Sequence, residues 1–285
     1  MRVLLRLAYD GAQFAGYARQ PDLRTVEGEV LFALQRAKVI RSSRDARFQS
    51  ASRTDRGVSA LGNAVVFDTH LYPKAAAGAF NSRARDVYAL GFAAVPDDFN
   101  ARQARERWYR YLLDDRLRIA PLRQAARLFE GVHDFSAFVK GRTRAMREIR
   151  SLRVQPAGGF LALDVKAPSF AWNLVRRIVA AILAVHDGRA GLADVRAALN
   201  GTPMDLGLAP PEPLVLMAVD HGITLTPAED SALAERIARV DRSARFQALF
   251  TAALTAAVAK PLRRASPAPS GGENPSSEGP RPWTK

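Results

Sequence analysis

Apolar and charged positions alternate from Arg2 to Tyr9. Val3, Leu5 and Leu7 fall on one side and Arg2, Leu4 and Arg6 on the other, which predicts a strand with one buried face. Asp10-Gly11 turns the chain, and Tyr9 to Tyr17 mixes glycines with aromatics as a loop packed against another segment does. The period then becomes helical: Thr25 caps a helix whose stripe is Val26, Val30, Leu31, Leu34 and Ala37. Strand-like runs at Ala46 to Ser50 and Asn63 to Asp68 flank a charged loop. Tyr72-Pro73-Lys74 starts a short helix, and Val87 to Val95 is a strand ended by Pro96-Asp97-Asp98.

The second half repeats this grammar. Arg107 to Asp114 reads as a strand and Pro121 to Phe129 as a helix, and Ile149 to Gln155 with Phe160 to Val165 form a hairpin over Ala157-Gly158-Gly159. Trp172 to His186 is an apolar helix interrupted by Arg176 and Arg177. Ala193 to Asn200 is a helix closed by Gly201, and Leu214 to Val219 is a final strand. Helices separated by hairpins predict an α+β fold with mostly antiparallel sheet. The two halves suggest a duplicated plan of two ferredoxin-like units, residues 1–97 and 98–225. Thr226-Pro227-Ala228-Glu229 reads as a capping box opening a helical extension over residues 226–260, with Leu233, Ile237, Val240, Leu249, Phe250, Leu254 and Val258 as its apolar stripe. From Pro261 the chain is Pro, Ser, Gly and charge, the composition of a disordered tail.

The 42 Lys and Arg against 28 Asp and Glu give a net charge of +14, which favours a polyanionic partner, nucleic acid first and an acidic membrane surface second. The chain has no cysteine, which excludes disulfides, thiolate metal sites and cysteine nucleophiles. Its four histidines, His70, His133, His186 and His221, have no metal-ligand spacing, so no metal is expected. The chain opens directly on a strand, and no run is long and apolar enough to span a membrane. The expectation is a cytoplasmic protein without a signal peptide.

The chemistry concentrates in Ser52-Arg53-Thr54-Asp55-Arg56-Gly57. Thr-Asp-x-Gly also suits a solvated turn, and Arg53 a surface ion pair. Arg53 and Arg56 favour an ionised carboxylate at Asp55, which suits a nucleophile or an electrostatic stabiliser better than a base. Arg176 stands on a helix that is otherwise core. Either it reaches solvent at the edge of the stripe or it pairs with Asp55. In Arg107-Trp108-Tyr109-Arg110-Tyr111, aromatics alternate with arginines, which fits base stacking and phosphate contact as well as simple core packing. His133-Asp134-Phe135-Ser136-Ala137-Phe138 is not built like a catalytic triad, because its members are neighbours in sequence. It reads as a capped turn with two buried phenylalanines.

Ser52 to Ala60 resembles the G-R-T-D-x-G-V-H-A loop of the TruA family of tRNA pseudouridine synthases. The resemblance continues through Tyr9-Asp10-Gly11 with Phe14 to Tyr17, Asp98-Phe99-Asn100-Ala101-Arg102 with Tyr109-Arg110-Tyr111, and Gly131 to Phe138. It closes with Ser169-Phe170 ahead of Val175-Arg176-Arg177-Ile178-Val179, then Leu214 to Leu216 with Val219-Asp220. Ser52, Ser59, Asn63 and Tyr17 replace the family's glycine, histidine, glutamine and tryptophan.

The resemblance implies two α+β halves whose sheets join across a central catalytic cleft that binds RNA, and a homodimer. It implies an isomerase that turns uridine into pseudouridine at positions 38 to 40 of the tRNA anticodon arm, without a cofactor. Asp55 would be the nucleophile, Tyr109 the stacking partner of a flipped uridine, Arg53 a holder of that nucleotide and Arg176 the partner of Asp55. Arg19, Arg24, Arg102, Arg105, Arg107, Arg142 and Arg144 are candidates for tRNA phosphates. A non-catalytic RNA-binding protein of the same fold and a synthase with another RNA target are the competing readings.

Overall fold

Strand β1 (Arg2–Tyr9) lies inside a sheet, and of its eight residues only Arg6 is exposed. The computed structural model describes residues 1–139, 145–229 and 231–259. After β1 come β2 (Gln49–Ser50), β3 (Ser59–Asp68), β4 (Val87–Val95), β5 (Glu106–Asp114), β6 (Gly131–Asp134) and β7 (Met146–Ile149). Then follow β8 (Ser151–Pro156), β9 (Phe160–Ala167), β10 (Leu214–Asp220) and β11 (Thr226–Pro227). The helices are α1 (Val26–Arg36), α2 (Pro73–Asn81), α3 (Ile119–Ala126), α4 (Leu174–His186), α5 (Leu192–Leu199) and α6 (Ser231–Ala259).

Nine strands form one sheet in the order β11-β4-β1-β3-β10-β5-β9-β8, with β2 also paired to β3. Strands β6 and β7 form a separate hairpin. Every pairing in the large sheet is antiparallel except β3 with β10. The fold is α+β. In each half the fourth strand lies beside the first, then the third, then the second: β4-β1-β3-β2 and β10-β5-β9-β8. That is the duplicated plan expected from the sequence. The halves join because β2 is short. It covers β3 only at Val65 and Val66, and β10 takes the free edge at Ser59 and Ala60. The loop between β2 and β3, which carries Asp55, therefore lies at the seam.

The helices cover one face of the sheet: α1 packs on α2, α2 on β4, and α3 on α4 and β8. One apolar core runs from Val3, Leu5 and Leu7 through Tyr109 and Tyr111 to Leu163, Val165 and Ile178. Each fully buried aliphatic side chain of this kind contributes about 1.5–3 kcal/mol. The other face carries a smaller cluster around Leu4, Val66, Val95 and Ala101.

Of the expected elements whose bounds or kind differ, two have a plain local cause. Of Ala46 to Ser50 only Gln49–Ser50 is strand, because the Ala46 amide bonds back to Ser42 O and Arg47 turns at φ 44°. Thr226-Pro227 does not cap a helix. It pairs with Phe92 and Gly91 of β4 at the edge of the sheet, where a proline without an amide hydrogen is tolerated. Helix α6 instead starts at Ser231.

Among the described residues, those up to 233 form one compact unit and 234–259 belong to a second. On the second, Ile237, Val240, Phe246, Leu249 and Phe250 are exposed. Residues 261–285, read as a disordered tail, lie outside the described residues, as do Arg142 and Arg144. No helix among the described residues is long and apolar enough to cross a membrane.

Candidate active site

The Asp55 loop is built on a buried polar network. The Tyr9 hydroxyl lies 2.9 Å from Thr54 Oγ1, and Asn63 Nδ2 donates to Ser52 O at 2.9 Å and to Tyr9 Oη at 3.1 Å. The Tyr17 amide bonds Thr54 O at 3.0 Å, and at the loop's far end the Gly11 amide donates to Ser59 Oγ at 3.0 Å. A Cβ at Gly11 would lie 2.3 Å from Val58 O, so only glycine fits there. Gly57 takes φ +87°, the left-handed turn that lets the chain leave Asp55 and enter β3. The aromatic, glycine-rich segment near the N-terminus is thus the backing of the charged loop.

Arg107 fixes the loop from the other half. Its side chain is buried and donates to Ser52 Oγ at 3.1 Å, Ala51 O at 3.1 Å, Arg102 O at 2.9 Å and Pro168 O at 2.5 Å. Burial pulls its pKa below the ordinary guanidinium value. The serine that stands where the family has glycine supplies one of these acceptors. Arg107 therefore faces the core, not the tRNA phosphates to which the sequence pattern assigned it. Strand alternation explains this, because Arg107, Tyr109 and Tyr111 share the inward face of β5.

Helix α4 brings the second charge. Arg176 Nη1 lies 3.2 Å from Asp55 Oδ2 and 3.1 Å from Asn173 Oδ1, while its Nε donates to Ala209 O at 2.8 Å. Asn173 holds φ 62° at the helix start. Arg177 points elsewhere and pairs with Asp205 at 3.5 Å. Trp172 Nε1 donates to Asp55 Oδ1 at 3.0 Å, so each carboxylate oxygen has its own donor. From the pattern of the chain Trp172 only starts a helix, and that helix in fact begins at Leu174.

These groups line a cavity of about 510 Å³ with Arg53, Arg102, Tyr109 and Phe170. Tyr109 is buried, and its ring meets Phe170 edge-on, centroids 5.2 Å apart. Burial pushes the Tyr109 hydroxyl up to about 12, against the opposing influence of Arg107 and a hydrogen bond from Ser52. Arg53 is exposed at the rim. The structure thus gathers Asp55, Arg53, Tyr109 and Arg176, four residues spread over both halves. His133 and Asp134 end β6, and Phe135 and Phe138 are buried. No group of three or more His, Asp or Glu placed to hold a metal occurs among the described residues.

A family model described as tRNA pseudouridine synthase matches residues 125–221. The chain is 41% identical over 226 residues to tRNA pseudouridine synthase A of Thermococcus sibiricus, covering 78% of this chain and 85% of that one. It is 40% identical over 240 residues to the Pyrococcus abyssi protein of the same name, covering 82% and 89%. The chain belongs to the TruA family of tRNA pseudouridine synthases. A third relative, tRNA pseudouridine synthase A of Methanothermobacter thermautotrophicus, is 38% identical over 238 residues, 79% of this chain and 82% of its own length.

Arg19, Arg24, Arg102 and Arg105, the other described candidates for tRNA phosphates, lie on the surface. Arg19 pairs with Glu27 at 3.7 Å. Arg24 pairs with Asp86 at 2.9 Å and covers the Phe14 ring. Arg102 is exposed at the cavity, and exposed Arg105 lies against Gly222.

Proposed function

We propose that this protein isomerises uridine to pseudouridine in the anticodon arm of tRNA, at positions 38 to 40, with Asp55 as nucleophile. The observation that carries the reading is the Asp55 carboxylate, held by Arg176 in a cavity beside the buried ring of Tyr109. Asp55 attacks the flipped nucleotide and the bond from C1′ to N1 breaks. The uracil turns within the cavity and rejoins C1′ through C5, and the bond to Asp55 breaks, which frees the carboxylate. The C5 proton then leaves and N1 takes one up, so the reaction is redox-neutral.

Taking a uridine out of its stack costs a few kcal/mol, and an aromatic neighbour offsets part of this cost. Tyr109 fills that role, with its ring supported by Phe170. Arg53 at the rim holds the nucleotide's phosphate side, and the excess of 42 basic over 28 acidic residues attracts the tRNA backbone. We place the protein in the cytoplasm, where tRNA is modified, and read it as a homodimer on its likeness to the TruA family.

The test is incubation with unmodified tRNA transcripts followed by mapping of pseudouridine along the anticodon arm. Pseudouridine at positions 38 to 40 supports the proposal. Modification elsewhere keeps the enzyme and changes its target. Tight binding with no altered uridine identifies an RNA-binding protein of the same fold.

A further inference from the structure

Trp172 is 71% exposed, yet its indole nitrogen has a protein partner, the Asp55 carboxylate. The segment that carries it is anchored at both ends. Pro168 O accepts from Arg107, Phe170 packs edge-on against Tyr109, and Asn173 sits in the left-handed region with its side chain on Arg176. Between these anchors, Trp172 reaches across to Oδ1 of Asp55 at 3.0 Å, while Arg176 holds Oδ2 at 3.2 Å. A carboxylate with one donor can still rotate about its last side-chain bond, whereas a donor on each oxygen fixes its plane.

We infer that Trp172 is a positioning residue, whose N–H sets the orientation of the Asp55 carboxylate for attack on the nucleotide. The inference rests on the reading of Asp55 as nucleophile. The two donors approach from the first turn of α4 and from the segment just before it, so Asp55, which sits on a loop of the other half, takes its orientation from the second half of the chain. A hydrogen bond to a charged group is among the stronger kinds in proteins. An orientation error at a reacting group is costly, because near-attack geometry supplies much of the rate. An indole exposed at the rim can also touch RNA, and the two roles separate by chemistry: orientation needs the N–H, and stacking needs the ring.

Two variants isolate them. Trp172→Phe keeps a ring and removes the donor. Trp172→Gln removes the ring and keeps an N–H at the same number of bonds from Cβ. Single-turnover pseudouridine formation and binding of unmodified tRNA are measured for both. The expected result is a fall of about tenfold in the rate for Trp172→Phe, with unchanged tRNA affinity, and recovery of most of that loss in Trp172→Gln. Full activity in Trp172→Phe overturns the inference. So does a loss in Trp172→Gln as large as in Trp172→Phe, or a loss confined to tRNA affinity. Asp55→Asn is run alongside. If it stays active, the nucleophile reading itself has failed. If it is inactive while Trp172→Phe is fully active, only the role of Trp172 is lost.

Discussion

Arg176 lies 121 residues from Asp55 in the chain and 3.2 Å from it in space. The pair joins the loop between β2 and β3 of the first half to the start of α4 in the second. Its side chains are 13% and 27% exposed, so the attraction is screened less than that of a surface pair.

Arg176 does three things at once, donating to Asp55, Asn173 and Ala209 O. A lysine there keeps the charge but cannot reproduce the fork. Arg176→Lys is expected to lower kcat by roughly ten- to a hundredfold, the equivalent of about 1.5–3 kcal/mol for a hydrogen bond to a charged group. Its tRNA affinity should stay within a few-fold of the parent. Single-turnover rates with a parallel filter-binding titration check both numbers.

Tyr109 is assigned to stacking, so its ring matters more than its hydroxyl. Tyr109→Phe should retain most of the rate, and Tyr109→Leu should lose roughly ten- to a hundredfold, since stacking of one base on an aromatic side chain is worth about 1–3 kcal/mol. Equal losses in the two variants would move the role from the ring to the hydroxyl.

Arg107 holds the loop from the core and does not line the cavity. Replacing it by methionine leaves Ser52 Oγ and the carbonyls of Ala51, Arg102 and Pro168 without their shared donor. A cost of about 2–4 kcal/mol is expected, or a Tm lower by roughly 5–15 °C. Differential scanning calorimetry measures it. A Tm equal to the parent's would show that the clamp is dispensable.

Buried tyrosines make the protein sensitive to alkali. Burial raises the hydroxyls of Tyr109 and Tyr111 to about 12, and raises Tyr9 and Tyr17 as well. A group whose folded value lies above its unfolded value, near 10, contributes stability that is complete below pH 10 and is lost as the pH climbs towards 12. Tm should therefore stay flat in this respect up to about pH 9 and fall steeply above 10, which thermal melts across that range will show.

The sequence made the pairing of Asp55 with Arg176 legible because both are charges in places where charge is expensive, a loop between apolar strands and an apolar helix. The paired strand orders of the two halves were legible in outline from their repeated grammar. The seam between them was not. That β10 would enter the sheet beside β3 depends on how little of β3 the short β2 covers, and no local pattern encodes that. Arg107 was assigned to phosphates because arginines among aromatics resemble an RNA surface, although the alternation that paired Tyr109 with Tyr111 also turns Arg107 inward. Trp172 carried no signal, since its partner is fixed only by tertiary structure. Thr226-Pro227 fitted a helix start and a sheet edge equally, and the free edge of β4 decided the matter.

The most direct test is pseudouridine formation on an unmodified tRNA transcript by the parent protein and by Asp55→Asn, with tRNA binding measured for both. The substitution is nearly isosteric, removes the attacking carboxylate and leaves the basic surface intact. The account predicts conversion of anticodon-arm uridines by the parent, and a variant that binds tRNA about as well yet forms no pseudouridine. Equal reaction by the two proteins would contradict it.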